Sequence, residues 1–334
     1  MKVHITGGCG YVGSRVAVRL SKAGHQIVVI DKATPQERGR VFTPDIEFRQ
    51  ANLVYPEQAR KSLEDAETVI HLAANIGSMN YMYEHQGEIL WENSAIDAAV
   101  YPVFRDVGVK LLMYSSTSMV FQHAPRYPYT ESDLANTPAP TNVYGFSKLS
   151  GEYYCKAFKQ QYDAFDYIIV RFHNIYGPGE DSKGSTPGDI HVIPALIEKV
   201  LRGQYPLEFI GGADATRTFT YIDDAVDAVV KLFQKGAQGD KEVLNTDFNL
   251  STPEVHKIIE LGERIWKLLG DGRPFKYVVT DSESASHTAL RREADVRKLM
   301  SVIDWKPSLS LDEGILKTAD WVKEVIAAKA GASK

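Results

Sequence analysis

Short apolar runs rich in β-branched residues recur through the first half of the chain and alternate with segments of helical period. The runs are Lys2-Val3-His4-Ile5, Gln26 to Ile30, Ile46 to Phe48, Thr68 to Leu72, Lys110 to Tyr114 and Tyr167 to Val170. Between them, Gly13 to Ala23, Pro56 to Leu63, Ile89 to Val107 and Gly145 to Gln161 carry apolar residues at helical spacing. Strand and helix in regular alternation predict an α/β fold built on a doubly wound parallel sheet. The loop Gly177 to Gly188, with four glycines and two prolines, ends this pattern. Beyond it the order is mixed. Phe219 to Phe233 reads as a strand edge plus a helix returning to the sheet, and Thr252 to Leu269 and Leu311 to Ala327 read as amphipathic helices capped by Thr252 and Ser310. The expected division is a sheet domain of residues 1–171 plus 219–247 and a smaller mixed α/β domain of 172–218 plus 248–330, with Ala328 to Lys334 as a frayed tail.

A length of 334 residues suits two such domains. Hydrophobic content of 44%, charged content of 24% and a net charge of -5 are ordinary for a globular protein and offer no field for a polyanion, so nucleic acid is not an expected partner. Cys9 and Cys155 are the only cysteines, which argues against a disulfide scaffold or a cysteine zinc site; no metal site is read, and a reducing compartment fits. The amino terminus is not signal-like and no apolar run reaches about 18 residues, so a cytoplasmic protein without a membrane partner is expected.

Candidate chemistry begins at Thr6 to Gly13, TGGCGYVG, directly after the first apolar run. Gly7, Gly10 and Gly13 have the spacing of a strand-turn-helix that binds a dinucleotide: one glycine for the turn, one for close approach to pyrophosphate, one for helix packing. The phosphates would then sit on free helix N–H groups. Asp31, ending the second run, lies close to the roughly 20-residue offset at which a carboxylate holds the adenosine ribose, which favours NAD over NADP; Lys32 beside it weakens that preference. Cys9 reads as filler of the tight loop. A Rossmann-type first domain follows.

Farther on, Tyr144 and Lys148 stand four apart at the start of a helical segment and so share one face. A free tyrosine titrates near pH 10, and moving that midpoint by one pH step takes about 1.4 kcal/mol of favourable interaction, so a neighbouring ammonium can bring a phenol toward use as a base. The run Tyr114 to Phe121, YSSTSMVF, supplies hydroxyls after a sheet strand, where a doubly wound fold binds ligand.

With these motifs, together with His71 to Ala74 (HLAA), Arg171 to Pro178 (RFHNIYGP), Arg217 to Asp224 (RTFTYIDD) and Arg291 to Asp295 (RREAD), the chain resembles the extended short-chain dehydrogenase/reductase family. The resemblance covers nearly the whole chain and is strongest to the NAD-dependent nucleotide-sugar epimerases and dehydratases. It implies Tyr144 as the acid/base, Thr117 as the hydroxyl that binds the reacting sugar hydroxyl, with Ser115 or Ser116 as alternatives, and Lys148 as the residue holding Tyr144 and the nicotinamide ribose. Implied cofactor contacts are Gly7, Gly10, Tyr11, Val12, Gly13, Asp31, Asn52, Leu53, Leu72, Ala73, Ala74, Asn93, Ser115, Tyr144 and Lys148. Asn52 departs from the family's usual aspartate. His71 reads as a packing residue beside the ribose, and Arg171 as the anchor of a turn.

A nucleoside-diphosphate sugar needs cations. Arg217 and Arg292 match family positions that clamp the diphosphate, and a guanidinium suits bidentate phosphate contacts. Asn174 and Met79 complete the implied substrate contacts with Thr117 and His191. A retained NAD and a tyrosine base support a redox-neutral cycle, and the reading favours 4-epimerisation of a UDP- or GDP-hexose. Ser118 and Met119 stand where the family's dehydratases carry an Asp-Glu pair, so dehydration is disfavoured. Leu72 to Met82 and RFHNIYGPG also resemble GDP-mannose 3,5-epimerases, and His191 to Leu196 resembles GDP-fucose synthases, in which the histidine is an acid. Those enzymes pair it with a cysteine where this chain has Met119, whose thioether cannot abstract a proton. His191 therefore stands open between hydrogen-bond donor and acid. A GDP-sugar 3,5-epimerase or epimerase-reductase, a uronic-sugar decarboxylase and a non-catalytic NAD-binding protein are the remaining alternatives. Val100, Tyr101, Phe104, Tyr153, Tyr154 and Phe158 mark the two long helices that build a four-helix homodimer interface in the resembled family.

Overall fold

A computed structural model describes residues 1–180, 191–280 and 289–332. Its strands are β1 Lys2–Thr6, β2 Gln26–Asp31, β3 Ile46–Gln50, β4 Thr68–His71, β5 Leu111–Thr117, β6 Asp166–Phe172, β7 Ile175–Tyr176, β8 Leu207–Ile210, β9 Thr216–Arg217, β10 Thr220–Tyr221, β11 Thr246–Leu250, β12 His256–Lys257, β13 Tyr277–Thr280 and β14 Arg291–Arg292. The helices are α1 Tyr11–Lys22, α2 Pro56–Ser62, α3 Met79–Glu84, α4 Gln86–Val107, α5 Val143–Tyr162, α6 Val192–Leu201, α7 Ile222–Ala237, α8 Ile258–Leu269, α9 Arg297–Ile303 and α10 Leu311–Ala332. Each of the six apolar runs is a strand of one parallel sheet, ordered β11-β6-β5-β4-β1-β2-β3. The order reverses between β1 and β4, and a doubly wound sheet opens its ligand crevice at that switch point.

The strands are apolar on both sides because both faces of the sheet are covered. Ile27 and Val29 of β2, Leu111 and Met113 of β5, and Ile168 and Val170 of β6 enter one core. Their neighbours Val28 and Ile30, Leu112 and Tyr114, and Tyr167 and Ile169 enter the other. Helix α1 buries Val16, Ala17 and Leu20 in the first core. Among the described residues, no helix is long and apolar enough to cross a membrane.

The structure corrects several expectations. The seventh strand, β11, is absent from the sequence reading because Thr246, Asp247 and Asn249 interrupt its apolar pattern; Asp247 is satisfied by Arg171 across the sheet. The strand also runs past the expected boundary at 247. Arg171 anchors no turn. It lies buried in β6, gives Nε to Glu152 Oε1 at 2.8 Å and Nη2 to Glu152 Oε2 at 2.7 Å, and so bolts α5 to the sheet. Thr252 does not cap a helix: its hydroxyl donates to the Phe219 carbonyl at 3.0 Å, and α8 starts at Ile258. Ser310 does cap α10, which continues to Ala332, through most of the expected tail. Val100, Tyr101 and Phe104 are core residues under α4 and are unavailable to a partner, while Tyr154 and Phe158 pack on that core and Tyr153 is 66% exposed. Most of the loop Gly177 to Gly188 lies outside the described residues.

Removing one partner of a buried ion pair strands the other charge, at a cost of about 3–5 kcal/mol. Arg171→Ala, which leaves the buried Glu152 without its cation, is expected to lose stability in that range in urea denaturation; a loss under about 1 kcal/mol would show that the pair does not hold α5.

Candidate active site

The carboxyl ends of β1, β2, β4 and β5 open into one cavity of about 650 Å³, continued by residues of the second half of the chain. At its floor Gly7 turns the chain with φ of 69°, and a side chain there would meet the Ala73 backbone nitrogen at 2.7 Å. At Gly13 a Cβ would lie 2.4 Å from the Gly7 carbonyl oxygen, so α1 can approach the turn only without a side chain. No side chain caps α1, whose first N–H groups are left for an anion. Asp31 is fixed at the end of β2, accepting the Cys9 N–H at 3.1 Å and the Ala33 N–H at 3.0 Å. Cys9 is buried filler, its thiol pushed up to about 12 by burial. The Tyr11 hydroxyl is buried without a partner among the described residues. Turn, free helix terminus, carboxylate and unpartnered hydroxyl fit a bound dinucleotide.

The wall continues with Val12, Gly10, Asn52, Leu53, Leu72, Ala73, Ala74 and Ser115, all expected cofactor contacts. Two others stand behind it. Asn93 accepts the Asn75 N–H at 2.6 Å and donates to Ser147 Oγ at 3.1 Å, tying the loop after β4 to α5. Lys148 is buried, with Nζ 3.4 Å from Ser115 Oγ and 4.4 Å from the Tyr114 ring centroid. His71 is also away from the cavity, hydrogen-bonded to Thr6 at 2.6 Å and Asp97 at 3.2 Å.

Thr117 and Tyr144 are brought together. Burial pushes the Tyr144 phenol well above its usual range, and a hydrogen bond from Thr117 offsets part of that rise. Ser116 is turned to Glu152, 2.6 Å away, which leaves Thr117 as the hydroxyl partner. Lys148 is not brought against the phenol. Its own ammonium is pushed down to about 8 by burial. Met119 packs on the Tyr144 ring.

Met79, Asn174, His191, Arg217 and Arg292 line the same cavity. Arg217 and Arg292 are register partners across β9 and β14, which sets their side chains together. Arg217 Nη1 reaches only backbone carbonyls, of Thr216 at 2.7 Å and Leu290 at 3.2 Å, and Arg292 Nε has no partner. Among the described residues no carboxylate pairs with either, and burial, with Arg292 as a like charge, disfavours the charged form of Arg217. Arg217 is buried and Arg292 half-buried, so two cations without a described counter-charge have the chemistry to hold an anion. His191 is bonded to Glu180, which holds the imidazole above its usual range. Glu180 was not foreseen; it reaches the cavity because Arg15 and Arg40 hold the Pro178 and Gly179 carbonyls. Lys199 of α6 and Glu208 of β8, joined at 3.3 Å, were missed too, since in sequence they read as ordinary solvated charges.

Glycine turn, Asp31 and switch-point crevice define a Rossmann-class protein that takes NAD. The chain belongs to the NAD dependent epimerase/dehydratase family, whose model matches residues 3–250. It is 26% identical over 333 residues to GDP-mannose 3,5-epimerase of Arabidopsis thaliana, covering 98% of this chain and 83% of that protein. It is 28% identical over 332 residues to the provisionally named UDP-glucose 4-epimerase of Methanocaldococcus jannaschii, covering 96% and 98%. It is 26% identical over 325 residues to UDP-glucuronic acid decarboxylase 1 of Xenopus tropicalis, covering 97% and 72%. The structure of UDP-glucose 4-epimerase from Thermus thermophilus in complex with NAD has the same fold, with a TM-score of 0.80 at 23% identity over 97% of this chain and 99% of that one.

A branched side chain at position 13 has no room beside the Gly7 carbonyl. Gly13→Val is expected to reduce the NAD retained through purification by about tenfold or more, measured as nucleotide released on denaturation; full retention would place the cofactor elsewhere.

Proposed function

We propose that the protein is an NAD-dependent nucleotide-sugar epimerase that inverts carbon 4 of a UDP- or GDP-hexose. The observation that carries this is that Thr117 and Tyr144 line the cofactor cavity together, with the thioether of Met119 clustered on the tyrosine where the resembled 3,5-epimerases have a cysteine. NAD, held by the glycine turn and Asp31, would supply a reversible hydride acceptor for carbon 4, so the reaction would carry no net redox change. Tyr144 removes the proton of the 4-hydroxyl and gives it back, and Thr117 holds that oxygen in line. Burial opposes the phenolate, so Tyr144 needs positive charge nearby; Lys148, one helical turn along and turned to Ser115, is the cation of that helix face, and it would have to move toward the phenol to supply it. Arg217 and Arg292 clamp the diphosphate, which supplies the counter-charge they lack. In this reading residues 1–171 with 219–247 hold the cofactor, and 172–218 with 248–330 hold the nucleotide sugar.

One observation favours a second reading, 3,5-epimerisation of a GDP-sugar: Glu180 supports a charged His191, suited to act as an acid, on the cavity wall. Solvent deuterium distinguishes the two, since inversion at carbon 3 or 5 takes up the label and inversion at carbon 4 does not. Expected is epimerisation of a UDP- or GDP-hexose at carbon 4 with no deuterium uptake, and a loss of about 10²–10⁴-fold in kcat for Tyr144→Phe with NAD still bound. Uptake at carbon 3 or 5, or an unimpaired variant, would overturn the assignment.

The same proposal includes a homodimer through α4 and α5. Its support is the exposed apolar surface they share, with Trp91 at 63%, Phe146 at 47% and Tyr153 at 66% exposure, beside exposed Ala98 and Ala157. A cytoplasmic location is favoured by two cysteines that are both buried and free. Light scattering is expected to give twice the chain mass, and Tyr153→Glu to shift it toward the monomer; a wild-type monomer at micromolar concentration would rule the interface out.

A further inference from the structure

The apolar part of the cavity wall around Tyr144 is rich in thioethers, with Ser78, Asn80, Thr117 and Ser118 as polar neighbours in the same two stretches. Met82 and Met119, 4% and 6% exposed, pack with Ile89 around the tyrosine, and Met79 packs against them. All three methionines line the cavity, half of the six in the chain. They arrive from two directions, Met79 and Met82 on α3 and Met119 on the turn Ser118–Phe121 after β5. The described lysines and arginines that line the cavity belong to other stretches: Lys32 and Arg38 follow Asp31, Lys199 and Arg202 lie on α6, and Arg217 and Arg292 pair across β9 and β14.

This arrangement bears on the sugar, given the reaction proposed above, on which the inference rests. With the 4-hydroxyl on Tyr144, the substituents that flank it are the 3-hydroxyl and carbon 6, carried on carbon 5. A methionine sulfur is a weak acceptor and never a donor, so a hydroxyl or carboxylate pressed against three thioethers gives up water without replacement. A methyl group gives up nothing and gains contact with a flexible apolar wall. The ring hydroxyls can face Ser118, Asn174 and His191, which line the same cavity. We infer that the substrate is a nucleoside-diphosphate 6-deoxyhexose, with Met79, Met82 and Met119 forming the pocket for its methyl carbon 6.

The test is calorimetric binding to the NAD-loaded wild-type protein of the UDP and GDP forms of a hexose, its 6-deoxy counterpart and its uronate. An apolar pocket discriminates against an added hydroxyl by about tenfold to a hundredfold and against a charge by more. The 6-deoxy sugar is therefore expected to bind at least about tenfold more tightly than the hexose, and the uronate most weakly. A hexose or uronate that binds as well as the 6-deoxy sugar overturns the pocket assignment. Exchange at carbon 4 is measured separately: preferential binding of the 6-deoxy sugar without exchange supports the pocket while overturning the epimerase reading, and binding of none of the six overturns both. Met79→Arg, at a half-buried position, adds a cation to the wall and is expected to move the ranking toward the uronate by about tenfold or more; a folded variant with the wild-type ranking removes Met79 from the pocket.

Discussion

Glu152 and Arg171 have no solvent-exposed side-chain surface, and their two parallel hydrogen bonds fix α5 against β6. Glu152 also takes the Ser116 hydroxyl of β5, and Arg171 extends to Asp247 of β11. One charge cluster thus joins a helix to three neighbouring strands in the sheet. Glu152 lies one helical turn beyond Lys148 and two beyond Tyr144 on the same helix, so the placement of the phenol over Thr117 depends on this cluster. A well-packed apolar contact could hold the helix as firmly, but a bidentate charge pair also fixes its rotation and register.

The cavity uses the same residue types in the opposite way. Arg171 is neutralised by two carboxylates, whereas Arg217 and Arg292 stand side by side and, among the described residues, meet no carboxylate, Arg217 reaching backbone carbonyls instead. A buried cation without a counter-charge destabilises the free protein, and a second cation beside it does so more, so this end of the cavity favours an anion that no described residue supplies. Tyr144 has Thr117 on one side and an apolar cluster of Met82, Met119 and Ile89 on the other. Across one continuous cavity the wall passes from glycine turn and carboxylate, through phenol and methionine, to paired guanidinium groups, and each stretch suits a different part of a bound cofactor and sugar nucleotide.

Much of this was legible in the chain. Both faces of the sheet are covered, so its strands are uninterrupted apolar runs, and glycines that must avoid a carbonyl or an amide recur at fixed spacing. Most expected cofactor residues and every expected substrate residue do line the cavity. What was illegible depended on partners far away in sequence. The β11 pattern is broken by Asp247, whose neutralising arginine lies 76 positions earlier. The aromatics of α4 read as marks of a partner surface, and only packing on Cys155, Phe165 and Tyr154 decided for the core. Thr252 has the chemistry of a helix cap, but its hydroxyl finds the Phe219 carbonyl instead.

The sequence by itself determined the order of elements, the parallel sheet, the cofactor turn and the chemical types at the site, because these follow from local periodicity and from steric rules acting over a few residues. Tertiary structure decided that Ser116 turns to Glu152, that Lys148 sits under Ser115, that Arg171 is held by two carboxylates while no described carboxylate pairs with Arg217 or Arg292, and that three methionines cluster with one phenol. Those outcomes are set by which side chains burial leaves without water, and burial is a property of the assembled chain.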